Sequence, residues 1–417
     1  MVHLRPIRAL RPPAELADRV AVPHYDVLDL DHALALAADP DSFVHVTRPE
    51  VGVPGGSSDA DVHARGRDRL DDLVRRGVLV RDGEPAVWVH RMVRQGREQT
   101  GVVALVSVDD YDSGVIRTHE HTRPDKEADR VAHVDALDAH DEPVLLLHRP
   151  DEPLRDLLRG IAAGPGELDV TDPDGVRHVL WRVADAELVA RLVAAFDGLE
   201  RLYVADGHHR CAAASVVRRL RAERAADPGD GGRDERGAGE VDAFLAAVFP
   251  ADELTVLPYH RLVRDLDGLG VDDVLRRLAP DFEVLPSDQP VEPDEPLVFG
   301  LYLGGRWFSA RARADAVDLA DPLHRLDVSV LQERLLAPVF GIADPRRDER
   351  IAFLGGVHGV RGVVDAVDGG SAAVGITLRA TAVPDLLEVS DAGEVMPPKS
   401  TWFEPKLRSG LLVHPMH

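Results

Sequence analysis

Apolar residues recur along this chain with two different periods, and the alternation between them predicts the elements. Asp61–Arg76 places Val62, Leu70, Leu73 and Val74 on one side of a helix. Ala86–Val93 and Gly101–Val108 carry the β-formers of two strands at hairpin-like spacing. Pro143–His148 (PVLLLH) is a short apolar run and reads as a buried strand. Further helices are expected at Asp31–Ala38, Leu154–Ala163, Ala184–Phe196, Val271–Ala279 and Val328–Leu336. The last should end before Pro338, which lacks an amide donor. Ala243–Phe249 and Ala373–Ala380 read as strands, and Leu297–Leu303 with Arg306–Ala312 as a hairpin. Asp227–Glu240 is poor in apolar residues and rich in glycine and charge, the composition of a mobile surface insertion.

Strands and helices mix without a regular βαβ rhythm. That predicts an α+β fold, with mixed sheets and helices packed on them, rather than a doubly wound parallel sheet. At 417 residues the chain is long enough for two lobes, expected at 1–242 and 243–417.

Composition narrows the functional classes. The net charge of −24, from 49 basic and 73 acidic residues, disfavours nucleic acid held through the surface as a whole. The single cysteine, Cys211, excludes an internal disulfide and any Cys-cluster metal site, and a small buried side chain is expected there. Met1–Leu10 is mixed and charged, unlike a signal peptide, and no apolar run approaches the roughly 20 residues that span a membrane. A cytoplasmic protein without a membrane partner is expected; its oligomeric state is left open. Only three of the basic residues are lysines, Lys126, Lys399 and Lys406. Where arginine is so strongly preferred, a retained lysine hints at a compact point charge or a tunable pKa.

The richest chemistry lies in Leu202–Ala214, LYVADGHHRCAAA. A short apolar strand runs into Asp206-Gly207-His208-His209-Arg210, and an Ala-rich, Arg-studded helix follows to about Ala226. Strand, glycine turn and helix start aim backbone N–H groups at an anion. Gly207 permits close approach, the amides of His208, His209 and Arg210 face a phosphate, and the Arg210 guanidinium adds a bidentate contact. Asp206 could take a proton or hold Mg2+, and His209 is a second catalytic candidate. The bland alternative is that Asp206 only caps the helix and the histidines pack.

Two other segments are motif-like. Thr118–Arg130, THEHTRPDKEADR, offers His119, Glu120, His121, Lys126, Asp129 and Arg130. Glu120 is the acid/base candidate there, Lys126 and Arg130 the counter-charges, and His119 a substrate contact. A metal site combining His119 and His121 with His208 and His209 is one alternative; a solvated polar loop before a charged helix is the other. Met396–Leu412, MPPKSTWFEPKLRSGLL, gathers Lys399, Ser400 and Lys406 as anion-binding candidates, or is simply a tail packed on the core. Arg48 and His260 sit near strand-like runs and could line a pocket.

These motifs, with LDVSVLQERLL at Leu326–Leu336, together resemble the bacterial domain of unknown function 1015 family nearly end to end. The DGHHR turn alone is similar to the phosphate-binding turn of the ParB/sulfiredoxin-like superfamily, whose members include free-serine kinases. That resemblance implies that Gly207, His208, His209 and Arg210 bind nucleotide or substrate phosphate. It also implies a catalytic acid elsewhere, for which Glu120 and Asp206 are candidates. Three readings of function follow. One is a phosphoryl-transfer enzyme for a small anionic metabolite, serine kinase-like or phosphoserine phosphatase-like, using Mg2+ and ATP or ADP. Another is a nucleotide-binding regulator without catalysis. The third is a metal-dependent hydrolase.

Overall fold

The computed structural model describes residues 1–53, 58–226 and 239–417, so all of the expected insertion up to residue 238 lies outside the described residues. The chain forms two units, one of Met1–Leu254 with Pro405–His417 and the other of Thr255–Glu404. Both are α+β.

The first unit is built on a nine-stranded mixed sheet. In chain order its strands are β1 (Leu4–Arg5), β2 (Val87–Arg94), β3 (Arg97–Ser107), β4 (Ile116–Arg117), β5 (Val144–His148), β6 (Leu168–Thr171), β7 (Arg177–Val183), β8 (Leu202–Asp206) and β9 (Ala243–Pro250). Their spatial order is β6-β7-β2-β3-β9-β5-β8-β4, with β1 paired to β3. Only the β9–β5 and β8–β4 pairings are parallel. The expected β2–β3 hairpin forms, Arg94 pairing with Arg97 at its tip.

Helices α1 (Asp59–Arg75), α2 (Pro124–Leu137), α3 (Glu152–Ile161), α4 (Ala186–Asp197) and α5 (His208–Ala226) accompany the sheet. Their starts follow from sequence. Ser58 and Asp61 form a reciprocal capping box on α1, while Asp151 and Asp185 cap α3 and α4 by accepting N–H groups three residues on. Leu154 and Leu158 of α3 and Leu192 and Phe196 of α4 pack with Val87, Val89, Val102, Ala104 and Val106 on one sheet face. The alternate residues Trp88, Val103 and Leu105 are buried as well, so the sheet is covered on both faces. A second cluster joins Leu70 and Leu73 of α1, Leu137 of α2, Phe43, Leu10 and Val413.

Val413 belongs to a C-terminal segment that returns to this unit. Arg408–Ser409 pair with Val22–Pro23, His414–Pro415 pair with Ala139–His140, and Leu10 and Val413 exchange backbone hydrogen bonds. Docking stacks the His140 and His414 rings 5.7 Å apart and nearly parallel, at 8°. Burial pushes the pKa of His140 down to about 4 and that of His414 down to about 3.

The second unit carries β10 (Tyr259–Val263), β11 (Phe282–Ser287), β12 (Val298–Leu303), β13 (Arg306–Ala312), β14 (Ile351–Gly355) and β15 (Val374–Leu378). They order as β11-β13-β12-β15-β10-β14, every pairing antiparallel. Helices α6 (Val271–Leu278) and α7 (Gly359–Asp368) belong to the same unit. The helix expected to stop before Pro338 does not stop there. Asp327–Val330 is α-helical, Leu331–Leu336 widens into a π turn, and Ala337–Phe340 continues as α-helix with Pro338 in its first turn. Pro338 has no N–H to donate, and the π turn just ahead of it spaces the backbone so that the rod passes the proline. The Gly341 backbone at φ 72° ends the rod.

Two predictions follow. A Cβ at Gly101, on β3, would lie 2.2 Å from the Val248 carbonyl oxygen and 2.7 Å from the Phe249 ring. Gly101→Ala should therefore destabilise the protein by about 1–3 kcal/mol, read as a lower denaturant midpoint. The buried histidines set a pH dependence. Unfolded histidine protonates near pH 6.5, whereas folded His140 and His414 resist until about 4 and about 3, so the unfolded state binds protons first as pH falls. Their stabilisation is complete above pH ~6.5 and drains away below it, at up to about 1.4 kcal/mol per pH unit per group. Equilibrium denaturation between pH 7.5 and 4.5 should fall less steeply for the His140→Phe/His414→Phe double variant than for the parent chain. Parallel curves would contradict this.

Candidate functional site

Strand β8 is buried through Leu202, Tyr203, Val204 and Ala205, and its pairing with β5 slips by one residue between Val204 and Asp206. Such a bulge re-aims the side chain at the strand end. Gly207 then takes φ +104°, and a Cβ there would sit 2.8 Å from the Arg210 guanidinium. Its carbonyl accepts the amides of both Arg210 and Cys211, and α5 begins at His208. The Arg210 amide is thus directed back into the turn. The amides of His208 and His209 stand ahead of it, at the positive end of a 19-residue helix.

The charged groups around this turn are interlocked. Asp206 accepts a hydrogen bond from the Lys406 ammonium at 2.7 Å and lies 3.9 Å from Arg210. Burial would raise its carboxyl pKa; Lys406, His24 and Arg210 more than reverse this and hold it far below the carboxylate range. Arg210 is itself buried and donates to the Pro143 carbonyl. His24 Nε2 lies 3.2 Å from buried Glu142, which also accepts from the Thr47 and Ser409 hydroxyls and from the Tyr25 amide. Burial brings the His24 pKa down to about 4. Cys211 is buried too, its thiol pushed up to about 12, which makes it a packing residue and not a thiolate.

The polar segment 118–130 lies against the same turn. The His119 amide donates to His208 Nε2 at 3.4 Å, and the Arg123 amide donates to His209 Nε2 at 3.0 Å. The His119 and His208 rings meet edge-on at 4.5 Å. Burial drives both imidazoles below their usual pKa, His119 to about 4. Donor atoms of His119, Glu120 and His208 all lie within 4.8 Å of one another. His121 is exposed and His209 is held by Arg123, so neither belongs to that group.

Lys126 and Arg130, one turn apart on α2, line a cleft of about 480 Å³ with Tyr25, Arg48, Glu50 and His63. Arg130 lies 4.7 Å over the Tyr25 ring and pairs with Asp129. Lys126 is exposed, and its ammonium makes no ion pair or hydrogen bond among the described residues. Tyr25 is adjacent to His24, and their rings lie 4.7 Å apart.

The structure therefore brings together Asp206, Gly207, His208, His209, Arg210, His119, Glu120 and Lys406, while Lys126 and Arg130 line a cleft whose lining includes none of these. Lys399 and Ser400 belong to the second unit. Lys399 lies 5.4 Å over the Tyr259 ring, and the Ser400 hydroxyl donates to the Pro397 carbonyl. His260 is also in that unit and is buried. Sequence reasoning missed Glu142 and His24. The signal available was an acid one residue before the apolar run that opens β5.

The family described as "Protein of unknown function (DUF1015)" matches residues 4–329. The chain belongs to that family. No curated protein sequence matches it. Among solved structures it is similar to a free serine kinase in complex with AMP, at 13% identity and TM-score 0.37, over 74% of this chain and 92% of that one. It is also similar to a conserved hypothetical protein from Pyrococcus furiosus, at 14% identity and TM-score 0.36, over 74% and 95%. A C-terminally truncated SbnI from Staphylococcus aureus gives 13% identity and TM-score 0.38, over 75% and 87%. No described helix is long and apolar enough to cross a membrane.

Removing Lys406 leaves the partly buried Asp206 carboxylate short of its main partner. Lys406→Met should lower stability by about 1–3 kcal/mol, between the values for exposed and fully buried pairs. It should also raise the Asp206 carboxyl pKa, measured by carboxyl-carbon NMR titration. An unchanged titration would show that the pair does not set this charge.

Proposed function

We propose that the first unit is a phosphoryl-transfer enzyme acting on a small polar metabolite, serine kinase-like or phosphoserine phosphatase-like in chemistry. The observation that carries this reading is the convergence of the Gly207 turn with the 118–130 segment, through the bonds from the His119 and Arg123 amides to His208 and His209. Phosphoryl transfer needs a cradle for the phosphate, cations for its charge and an acceptor for the hydroxyl proton. The start of α5 is the cradle, and Lys126 and Arg130 are the cations. Lys126 has no competing partner among the described residues, so it is the cation most ready to meet a ligand.

Glu120 is assigned the proton. Asp206 is held so far below the carboxylate range by Lys406 that it is a poor base, and it serves instead to fix the charge pattern around Gly207. Mg2+ takes oxygen ligands and keeps waters, so it would be held by a nucleotide's phosphates with one carboxylate oxygen of Asp206 or Glu120. One Asp206 oxygen is already taken by Lys406. ATP or ADP is the expected phosphoryl donor.

The test is purified protein with Mg2+ and ATP or ADP plus serine, and separately with phosphoserine, followed by phosphorus NMR. Turnover in one direction is expected. Glu120→Gln should lower kcat on the order of 10²–10⁴-fold. Lys126→Ala should act mainly on KM. No consumption of either phosphorylated compound would contradict the reading.

A further inference from the structure

We propose that His119, Glu120 and His208 form a site for one divalent transition-metal ion. This goes beyond the phosphoryl-transfer reading, and the two share Glu120, which accepts the proton there only while no ion is bound. Three features carry it. The donor atoms of the three side chains already lie within 4.8 Å of one another, and the two imidazoles are buried. Ligation by an ion at about 2.0–2.2 Å from each donor needs only a modest contraction from there.

His119 is oriented as a metal ligand is. Its ring donates to the Val204 carbonyl, while Nδ1 is buried and has no hydrogen-bond partner among the described residues. A ring nitrogen fixed to a backbone carbonyl leaves the other as a lone-pair donor, the usual arrangement behind metal-bound histidine. Leaving that nitrogen buried and unmet is unfavourable, and an ion would relieve it. His208 presents a lone pair as well, because its Nε2 accepts the His119 amide. At 3.4 Å that bond is long for N–H donation, and a metal would readily displace it.

The donor set decides the class of ion. Two imidazoles and a carboxylate suit zinc, iron(II), cobalt or manganese, whereas magnesium and calcium prefer oxygen alone. Three protein ligands also leave coordination positions for water or substrate. The site lies at the start of α5, next to the Gly207 turn, so an anion there could complete the shell. His121 takes no part, being exposed, and neither does His209.

The test is titration of metal-stripped, full-length protein with CoCl2 and then ZnCl2. One cobalt per chain with visible d–d absorption, displaced by one zinc, is expected. His119→Ala and His208→Ala should weaken binding at least ~100-fold, more than the 10–100-fold known for losing a supporting partner. His121→Ala should bind as the parent does. If an alanine variant fails to fold, Glu120→Gln and the parent spectrum still decide. No d–d band in the parent, or binding unchanged in a folded His119, Glu120 or His208 variant, overturns the proposal. Cobalt binding without nucleotide turnover would support this site and count against phosphoryl transfer; turnover without cobalt binding would do the reverse.

Discussion

A carboxylate at the end of a buried strand needs a cation, and Asp206 finds its own in Lys406, 200 residues further along the chain. Much of the first unit depends on that pair. It sits at the slip in the β8 pairing, beside the left-handed Gly207, so it holds the point where strand becomes helix. It also ties the C-terminal segment to the site. Pro405–His417 is buried almost throughout, pairs with two short strands, and places Ser409 on Glu142 and His414 on His140. The turn's electrostatics are therefore complete only after the far end of the chain has docked.

The interior of this unit uses histidine heavily. His24, His90, His119, His140, His178, His208 and His414 are all nearly inaccessible, and burial lowers the pKa of each. Neutral imidazole is a compact partner for carboxylates and for other rings, as in the His90–His178 contact at 3.2 Å. Around the turn the result is a mosaic. Fixed charges lie on Asp206, Lys406 and Arg210, and the buried rings of His24, His119 and His208 feel the Asp206 charge.

Much of this was legible in the sequence. The β2–β3 hairpin, the apolar β5 and β9, and the helices beginning after Ser58, Asp151 and Asp185 follow from period and capping chemistry. The strand–glycine–helix reading of 202–226 corresponds to β8, Gly207 and α5. Lysine as a marker of a point charge suits Lys406, whose single ammonium caps one carboxylate oxygen. What periodicity could not convey was long-range placement. Glu142 gains its meaning from Thr47, His24 and Ser409, which arrive from three distant segments. The grouping of Glu120 with His119 and His208, in place of His121 and His209, depends on the path of a loop with no regular period. Pro338 misled because a π turn, which no local propensity marks, carries the helix past it.

The central claim is that the first amides of α5 grip a phosphate. The most direct measurement is TROSY NMR of protein labelled only with ¹⁵N-histidine, titrated with inorganic phosphate and then AMP. Saturable downfield shifts of the His208 and His209 amides, with those of His140 and His414 unmoved, are the result this account predicts. If those two resonances stay in place while phosphate or AMP binds elsewhere, or does not bind, the account is wrong.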